Sequence, residues 1–395
     1  MTNDVLMALD THEAVLLVTL DLSAAFDTID HDTLHTRLQH GYGIDGNAIS
    51  WLNSYLSNRE QVVTVGESSS DPQPLKYGVP QGSILGPKIF KHYTRPVSLI
   101  VQKYGLKYQI YADDTQLYTT FIPNNAESEI SAKNRIQDCV KEIKSWMSSN
   151  YLKLNEEKTE VIILCRTPLE DNTLMDSMTI GGHLIKPVAC VRNLGVQIDQ
   201  GMTMVNHINI ICRNSFLILR GISKIRRYLT EDAAKTLIHG FVSAKLDYCN
   251  SLLYGVPNKQ LKKVQRVFNS AARMITGAKR QDSATEILKE LHWLPVRERI
   301  EFKILLLVFK SLNGLAPVYL SNTLQKYTPS RPLRSMNSLS LAPHVARYKY
   351  YGARSLQCAA PKLWNNLPHN IRIQTEIDCF KSMLKTFLYK RAYIH

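Results

Sequence analysis

Hydrophobic positions change rhythm along this chain near residue 200. Before that point, short β-branched or leucine-rich runs alternate with helical patterns; after it, helical spacing dominates to the end. The run 14–22, AVLLVTLDL, predicts a strand that reaches a charge only at its end, and helical spacing follows over 31–40 and 46–57. Residues 61–66 read as a short strand, and ESSSDPQP after them as loop by composition. A helix is predicted over 86–104, with Pro87 suited to its first turn and Pro96 kinking or splitting it. Two apolar runs, 107–112 and 115–121, flank Asp113 and Asp114 and predict a tight hairpin with those two acids at its tip. Ile130, Ile136, Val140, Ile143 and Met147 predict a helix over 126–149, followed by short strands at 160–165, 177–186 and 193–199. From about 204 the helices are amphipathic, broken near 255–257, near 314–317 and in the Ser- and Pro-rich stretch 328–345. The fold class expected is therefore α+β up to about residue 200, followed by a helical half.

Composition narrows the class. At 395 residues, 44% hydrophobic and 21% charged, the chain has the profile of a folded protein of two or three domains. No apolar run reaches the ~18 residues of a membrane-spanning helix, and the first residues lack the pattern of a secretory signal, so an intracellular location is expected. The seven cysteines include no C-x-x-C pair, which excludes the common zinc spacings and gives no disulfide framework; most should be buried free thiols. Charge is divided unevenly. Residues 1–200 carry 17 Lys and Arg against 24 Asp and Glu, and residues 201–395 carry 31 against 10. A basic second half suits a polyanionic partner, and an acidic first half suits a cation.

The acids give that cation a place. Asp113 and Asp114 sit side by side at a hairpin tip, and Asp21 ends a separate apolar strand. Carboxylates at the ends of rigid strands can hold Mg²⁺, which takes one or two carboxylates and completes its shell with substrate phosphate oxygens. The chemistry that asks for this is nucleotidyl transfer with two metal ions about 3.5–4 Å apart. Taken alone, the pair is equally an ordinary Asp-rich turn.

The flanking motifs decide between these readings. LVTLDLSAAFDTIDH (17–31), GVPQGSILGP (78–87) and YADD (111–114), followed by LKLNEEKTEVI (152–162) and NLGVQID (193–199), resemble in order and spacing the palm of LINE-type (non-LTR) reverse transcriptases. Later stretches such as LDYCNSLLYGVP and LHWLPVRERI also look like the carboxy-terminal part of such element proteins. The resemblance implies a polymerase palm, an antiparallel sheet with packed helices, over 1–200 with its fingers largely missing. It also implies a helical thumb-like region over 201–280 and a basic helical region of unknown role over 281–395. The activity implied is RNA-directed DNA synthesis on an RNA template and DNA primer, from deoxynucleoside triphosphates, with two Mg²⁺ (or Mn²⁺).

By the same resemblance Asp21, Asp113 and Asp114 are the catalytic acids and metal ligands, with the Leu22 carbonyl as a further ligand. Phe26 is the aromatic that excludes a ribose 2′-OH, and Gln81, Gly82 and Lys158 border the nucleotide. Leu194 and Gly195 form the primer grip. The helical pattern over 258–280 has a cationic side, and its Lys262, Lys263, Arg266 and Arg273 are expected to follow nucleic-acid phosphates. Residues 224–227 resemble a nuclear import signal, which makes nucleus and cytoplasm both candidate locations.

The chain departs from the family at its start, only 20 residues before Asp21, and in carrying Lys88, Lys91 and Arg95 on a stretch that is more apolar in relatives. The expectation is an N-terminally truncated element copy or partial gene product. The alternatives are a catalytically inactive remnant that still binds nucleic acid, and an RNA-dependent RNA polymerase, against which Phe26 speaks.

Overall fold

The computed structural model describes residues 1–167, 175–328 and 339–394. The chain forms two compact units: residues 12–194 with Met1, and residues 2–11 with 195–395.

The first unit is built on a four-stranded antiparallel sheet. Its strands are β1 (Ala14–Ser23), β2 (Lys107–Tyr111), β3 (Asp114–Phe121) and β4 (Lys153–Leu164), in the order β2-β3-β1-β4. On β1, which has a hydrogen-bonded neighbour on each side, side chains of both faces are buried: Val15, Leu16, Leu17 and Val18. A continuous apolar run, rather than an alternating one, is the sequence consequence.

Helix Ala126–Ser148 packs on this sheet through Ala132, Ile136, Cys139, Val140, Ile143 and Met147. Ile130, expected on that face, is exposed, because six residues of helical rotation before Ile136 carry it off the stripe. The helix start is firmly capped: Asn125 accepts from the Ser128 amide, and Glu129 accepts from the Asn124 amide.

The predicted helix 86–104 is two helices, Gly86–Thr94 and Pro96–Lys103, divided at Pro96, which opens the second. Lys88, Lys91 and Arg95 all face solvent, while Ile89, Phe90 and Tyr93 carry the buried side. The departure from the family pattern therefore falls on the outer face.

Residues 59–75 differ from the sequence reading. ESSSDPQP is not plain loop: Arg59–Gln61 pairs with Gln73–Leu75, and Thr64–Val65 with Ser68–Ser69. Exposed two-residue strands lack the apolar alternation by which sequence reports a strand.

The second unit is helical. Helix Val205–Ile225 packs on Asn258–Thr276, and Val296–Leu312 on Ile377–Tyr393, where Phe309 stacks on Phe380 at 4.2 Å. Asp199, from the NLGVQID motif, caps the start of the first of these helices through the amides of Thr203 and Met204. Most of the Ser- and Pro-rich stretch 328–345 lies outside the described residues. Among the described residues no helix is long and apolar enough to cross a membrane. None of the seven cysteines is placed in a disulfide; Cys139, Cys165, Cys212 and Cys358 are buried, and burial pushes the thiols of Cys139 and Cys212 up to about 12 and about 11.

Candidate active site

Neighbouring strands bring the acids together. β1 and β3 run antiparallel in a register whose last pair is Leu20 with Thr115, so Asp21 and Asp114 come next on the two strands. Residues directly opposite in an antiparallel pair share a face of the sheet. Asp113 lies one residue earlier, in the turn that joins β2 to β3. That turn is one residue off the sequence reading. Tyr111 pairs with Asp114, leaving Ala112 and Asp113 as the turn residues, with Ala112 at φ +52°. The shift matters because it makes Asp114 a strand residue, facing Asp21 across the ladder.

Opposite β1, the strand β4 bulges. Thr19 pairs with Glu160 and Asp21 with Asn155, so residues 156–159 face the single residue Leu20. Thr159 closes the bulge by donating its hydroxyl to the Asn155 carbonyl at 3.0 Å. Bulges re-aim side chains, and this one sends two in opposite senses. The Lys158 ammonium comes to 3.6 Å from Asp21 Oδ2, while Glu156 pairs with Lys144 at 2.5 Å.

Electrostatically the cluster is short of positive charge. Among the described residues, Asp21 Oδ2 is buried with no hydrogen-bond partner, since Lys158 stands beyond hydrogen-bonding distance and is itself 71% exposed. Burial, then Asp113, then Asp21 raise the Asp114 carboxyl above the ordinary carboxylate range. Among the described residues no three His, Cys, Asp or Glu side chains are gathered closely enough to hold a metal ion. The predicted set of Asp21, Leu22, Asp113 and Asp114 is thus brought to one edge of the sheet but not closed into a cage. Leu22 stands opposite Leu154 with its side chain buried. Hard oxygen donors with an unsatisfied buried oxygen among them fit a divalent cation that keeps positions for phosphate oxygens.

Phe26 and the 78–82 loop form a second layer. Phe26 is half-buried, its ring centroid 5.0 Å from that of Phe90, and its carbonyl accepts from the Val79 amide at 2.9 Å. The Gly78 amide donates to the Ile29 carbonyl at 2.8 Å. A Cβ on Gly78 would lie 2.8 Å from Asp27 Cα and 2.9 Å from the Phe26 carbonyl, at a φ of +80°. Only glycine lets the two loops approach this closely. Gly78→Ala is expected to cost about 2–4 kcal/mol, read as a lower urea midpoint with unchanged m-value.

Gln81 donates both its contacts to Asp27, at 2.9 Å and 3.1 Å, while nothing lies within 4 Å of a Cβ on Gly82. Sequence reasoning misses Asp27; the signal it offers is an acid directly after Phe26.

Leu194 and Gly195 have φ of +45° and +82° between strands Cys190–Asn193 and Val196–Asp199. The first of those strands is tied to β3 by a reciprocal amide pair between Gln116 and Asn193, at 2.5 Å and 2.9 Å. On helix Asn258–Thr276 the cationic set is divided. Lys263 donates to Asn209 and Arg273 to the Asp282 carbonyl, whereas Lys262 and Arg266 face solvent.

Residues 2–198 match the family model described as reverse transcriptase (RNA-dependent DNA polymerase). The chain is 24% identical over 311 residues to the "Probable RNA-directed DNA polymerase from transposon BS" of Drosophila melanogaster, covering 76% of this chain and 33% of that protein. It is 25% identical over 292 residues to the RNA-directed DNA polymerase from mobile element jockey of the same organism, covering 70% and 30%. A solved apo telomerase from Candida tropicalis is 12% identical at a TM-score of 0.37, over 75% of this chain and 50% of that one, a likeness on which no argument rests. The chain spans about a third of the length of the curated relatives it matches.

Proposed function

We infer that this chain, which belongs to the reverse transcriptase (RNA-dependent DNA polymerase) family, copies RNA into DNA as the polymerase portion of a non-LTR retrotransposon protein. The observation that carries the reading is the adjacency of Asp21 and Asp114 on neighbouring strands, with Asp113 in the turn beside them and a buried carboxylate oxygen left unsatisfied.

In this reading Asp21, Asp113 and Asp114, with the Leu22 carbonyl, hold two Mg²⁺. When bound, these ions activate the primer 3′-hydroxyl and neutralise the departing pyrophosphate. Lys158, on its bulge, lends counter-charge to Asp21 and would meet the triphosphate with the same ammonium. The half-buried Phe26 ring would exclude a ribose 2′-OH, so that deoxyribonucleotides enter in preference to ribonucleotides. Gln81, oriented by Asp27, and the open space at Gly82 border the nucleotide and template. The turn at Leu194 and Gly195 supports the primer end, with the preceding strand held to β3 by the Gln116–Asn193 pair. Lys262 and Arg266 follow the phosphates of the RNA–DNA duplex.

The test is extension of a DNA primer on an RNA template with deoxynucleoside triphosphates and Mg²⁺. Product that follows the template sequence is the expected result. RNA binding without extension would leave a binding remnant and overturn the polymerase reading. Phe26→Val is expected to raise incorporation of ribonucleotides relative to deoxyribonucleotides by about 10- to 100-fold. An unchanged ratio would remove Phe26 from sugar selection.

A further inference from the structure

We propose that a groove in the helical second unit, apart from the residues assigned above, seats a single-stranded segment of nucleic acid. A base lies against Tyr350, and phosphates lie on Lys349, Lys362 and Arg297. The proposal rests on the reading that this chain handles nucleic acid, and adds a place where it does so.

A cavity of about 610 Å³ opens between residues 253–261, helix Val296–Leu312 and residues 349–366. At Ala353, Lys362 and Asn366 it meets a second cavity of about 420 Å³, which continues toward Pro343 and His344. Two cavities side by side with Lys362 in the lining of both offer successive places along one surface, which suits a polymer better than a compact ligand.

The charge of the groove favours a polyanion. The larger cavity is lined by Arg297, Lys349, Lys362 and Arg391 against one acid, Glu301. Arg391 is occupied by that acid at 2.5 Å and by Glu298 at 3.6 Å. Among the described residues the other three cations form no ion pair with an acid. Arg297 donates to the uncharged Asn258, and among the described residues neither Lys349 nor Lys362 has an acidic partner. Beside them Tyr350 is 49% exposed, with the Lys349 ammonium 5.8 Å from its ring centroid. An exposed aromatic face next to unpaired cations is the combination that binds single strands without sequence preference.

The walls are held, not loose. The segment carrying Lys349 and Tyr350 is pinned by the buried Asp10 carboxylate, which accepts from the amides of Arg347, Tyr348 and Gly352 at 2.7, 2.7 and 3.1 Å. From the other side, the buried Arg354 guanidinium donates to the carbonyls of Tyr350 at 3.1 Å and Tyr254 at 3.1 Å, joining the two sides of the groove. A site on rigid supports loses little freedom when it binds.

The experiment is fluorescence anisotropy of the full chain with a labelled uridine RNA of about 12 nucleotides, without divalent cation or nucleotides, between about 50 and 200 mM salt. The double variant Lys349→Glu, Lys362→Glu is expected to bind about tenfold or more weakly, with a log–log salt slope shallower by about 1.4. Tyr350→Ala is expected to lose about 5-fold or more with the slope unchanged. All three side chains are exposed, so the urea midpoint should not move. Wild-type affinity and slope in the charge-reversed variant would overturn the groove. So would failure of the wild type to bind RNA, or displacement of RNA by inorganic triphosphate as complete as by unlabelled RNA at equal phosphate. Extension is not read in this assay, so loss of the groove would leave the polymerase reading standing, and loss of extension would leave the groove.

Discussion

Asp21→Asn is expected to lower RNA-templated extension by about 10³-fold or more, and to make the cation-free chain more stable by about 1 kcal/mol. The two effects have one cause. Asp21 faces Asp114 across the ladder, with Asp113 in the adjoining turn, and Asp21 Oδ2 is buried without a hydrogen bond among the described residues. The counter-charge beside it, Lys158, is 3.6 Å away and largely exposed, so the pair contributes little. An amide of the same shape removes the repulsion and can donate to Asp114. It also removes a charge that the proposed function assigns to holding divalent cations, so a gain in stability should accompany the loss of extension.

The pH dependence gives this prediction a sign. The Asp114 carboxyl is raised in the folded chain, so its ionisation costs stability above the ordinary carboxylate range and costs nothing once it is protonated in both folded and unfolded states. The stability advantage of the Asp21→Asn variant should therefore be present at neutral pH and vanish in acid. Urea unfolding in chelator, with and without added Mg²⁺, checks it: Mg²⁺ should stabilise the wild type and not the variant. Extension by the variant within tenfold of wild type would remove Asp21 from catalysis.

Asp10→Ala should destabilise the helical unit by about 3–5 kcal/mol. Asp10 ends helix Thr2–Asp10, where the helix dipole disfavours an anion, and yet it is 2% exposed. What compensates is the set of three amides, from Arg347, Tyr348 and Gly352, that converge on its carboxylate. The packing is so close that a Cβ on Gly352 would collide with it. Removing the acceptor leaves donors that cannot all reach water, whereas Asp10→Asn keeps one carbonyl and should cost less than half as much. Chemical unfolding measures the loss. Hydrogen exchange at Tyr348 and Gly352 should quicken in the alanine variant, and unchanged protection there would assign the stability to other contacts.

These residues mark what sequence could not convey. Asp10 and Arg354 are polar positions with no motif around them, and their partners lie hundreds of residues away or are backbone carbonyls, which carry no sequence signature. The bulge at 156–159 is equally hidden. The sequence predicts a strand only from residue 160, and the pairing against β1 shows one strand, Lys153–Leu164, with an extruded segment that brings Lys158 to Asp21. The one-residue shift of the YADD turn has the same origin. Two-residue turns are fixed by the register of their strands, and alternation alone allows either neighbour to be the tip.

The amino-acid sequence by itself determined the family resemblance, the order of the motifs, the buried strand that carries Asp21 near its end, the proline split at Pro96 and the change to helices after residue 200. Each of these is local, written in spacing, composition or a contiguous motif. Only the tertiary structure decided that Asp114 rather than Asp113 stands across from Asp21, that Gln81 is turned toward Asp27, and that half of the cationic set on helix Asn258–Thr276 is engaged within the fold. The same holds for the unpaired lysines of the groove beside Tyr350. Those outcomes depend on which distant segments become neighbours, and a long-range pairing is set by the sum of packing over the whole unit rather than by any residue's own preference.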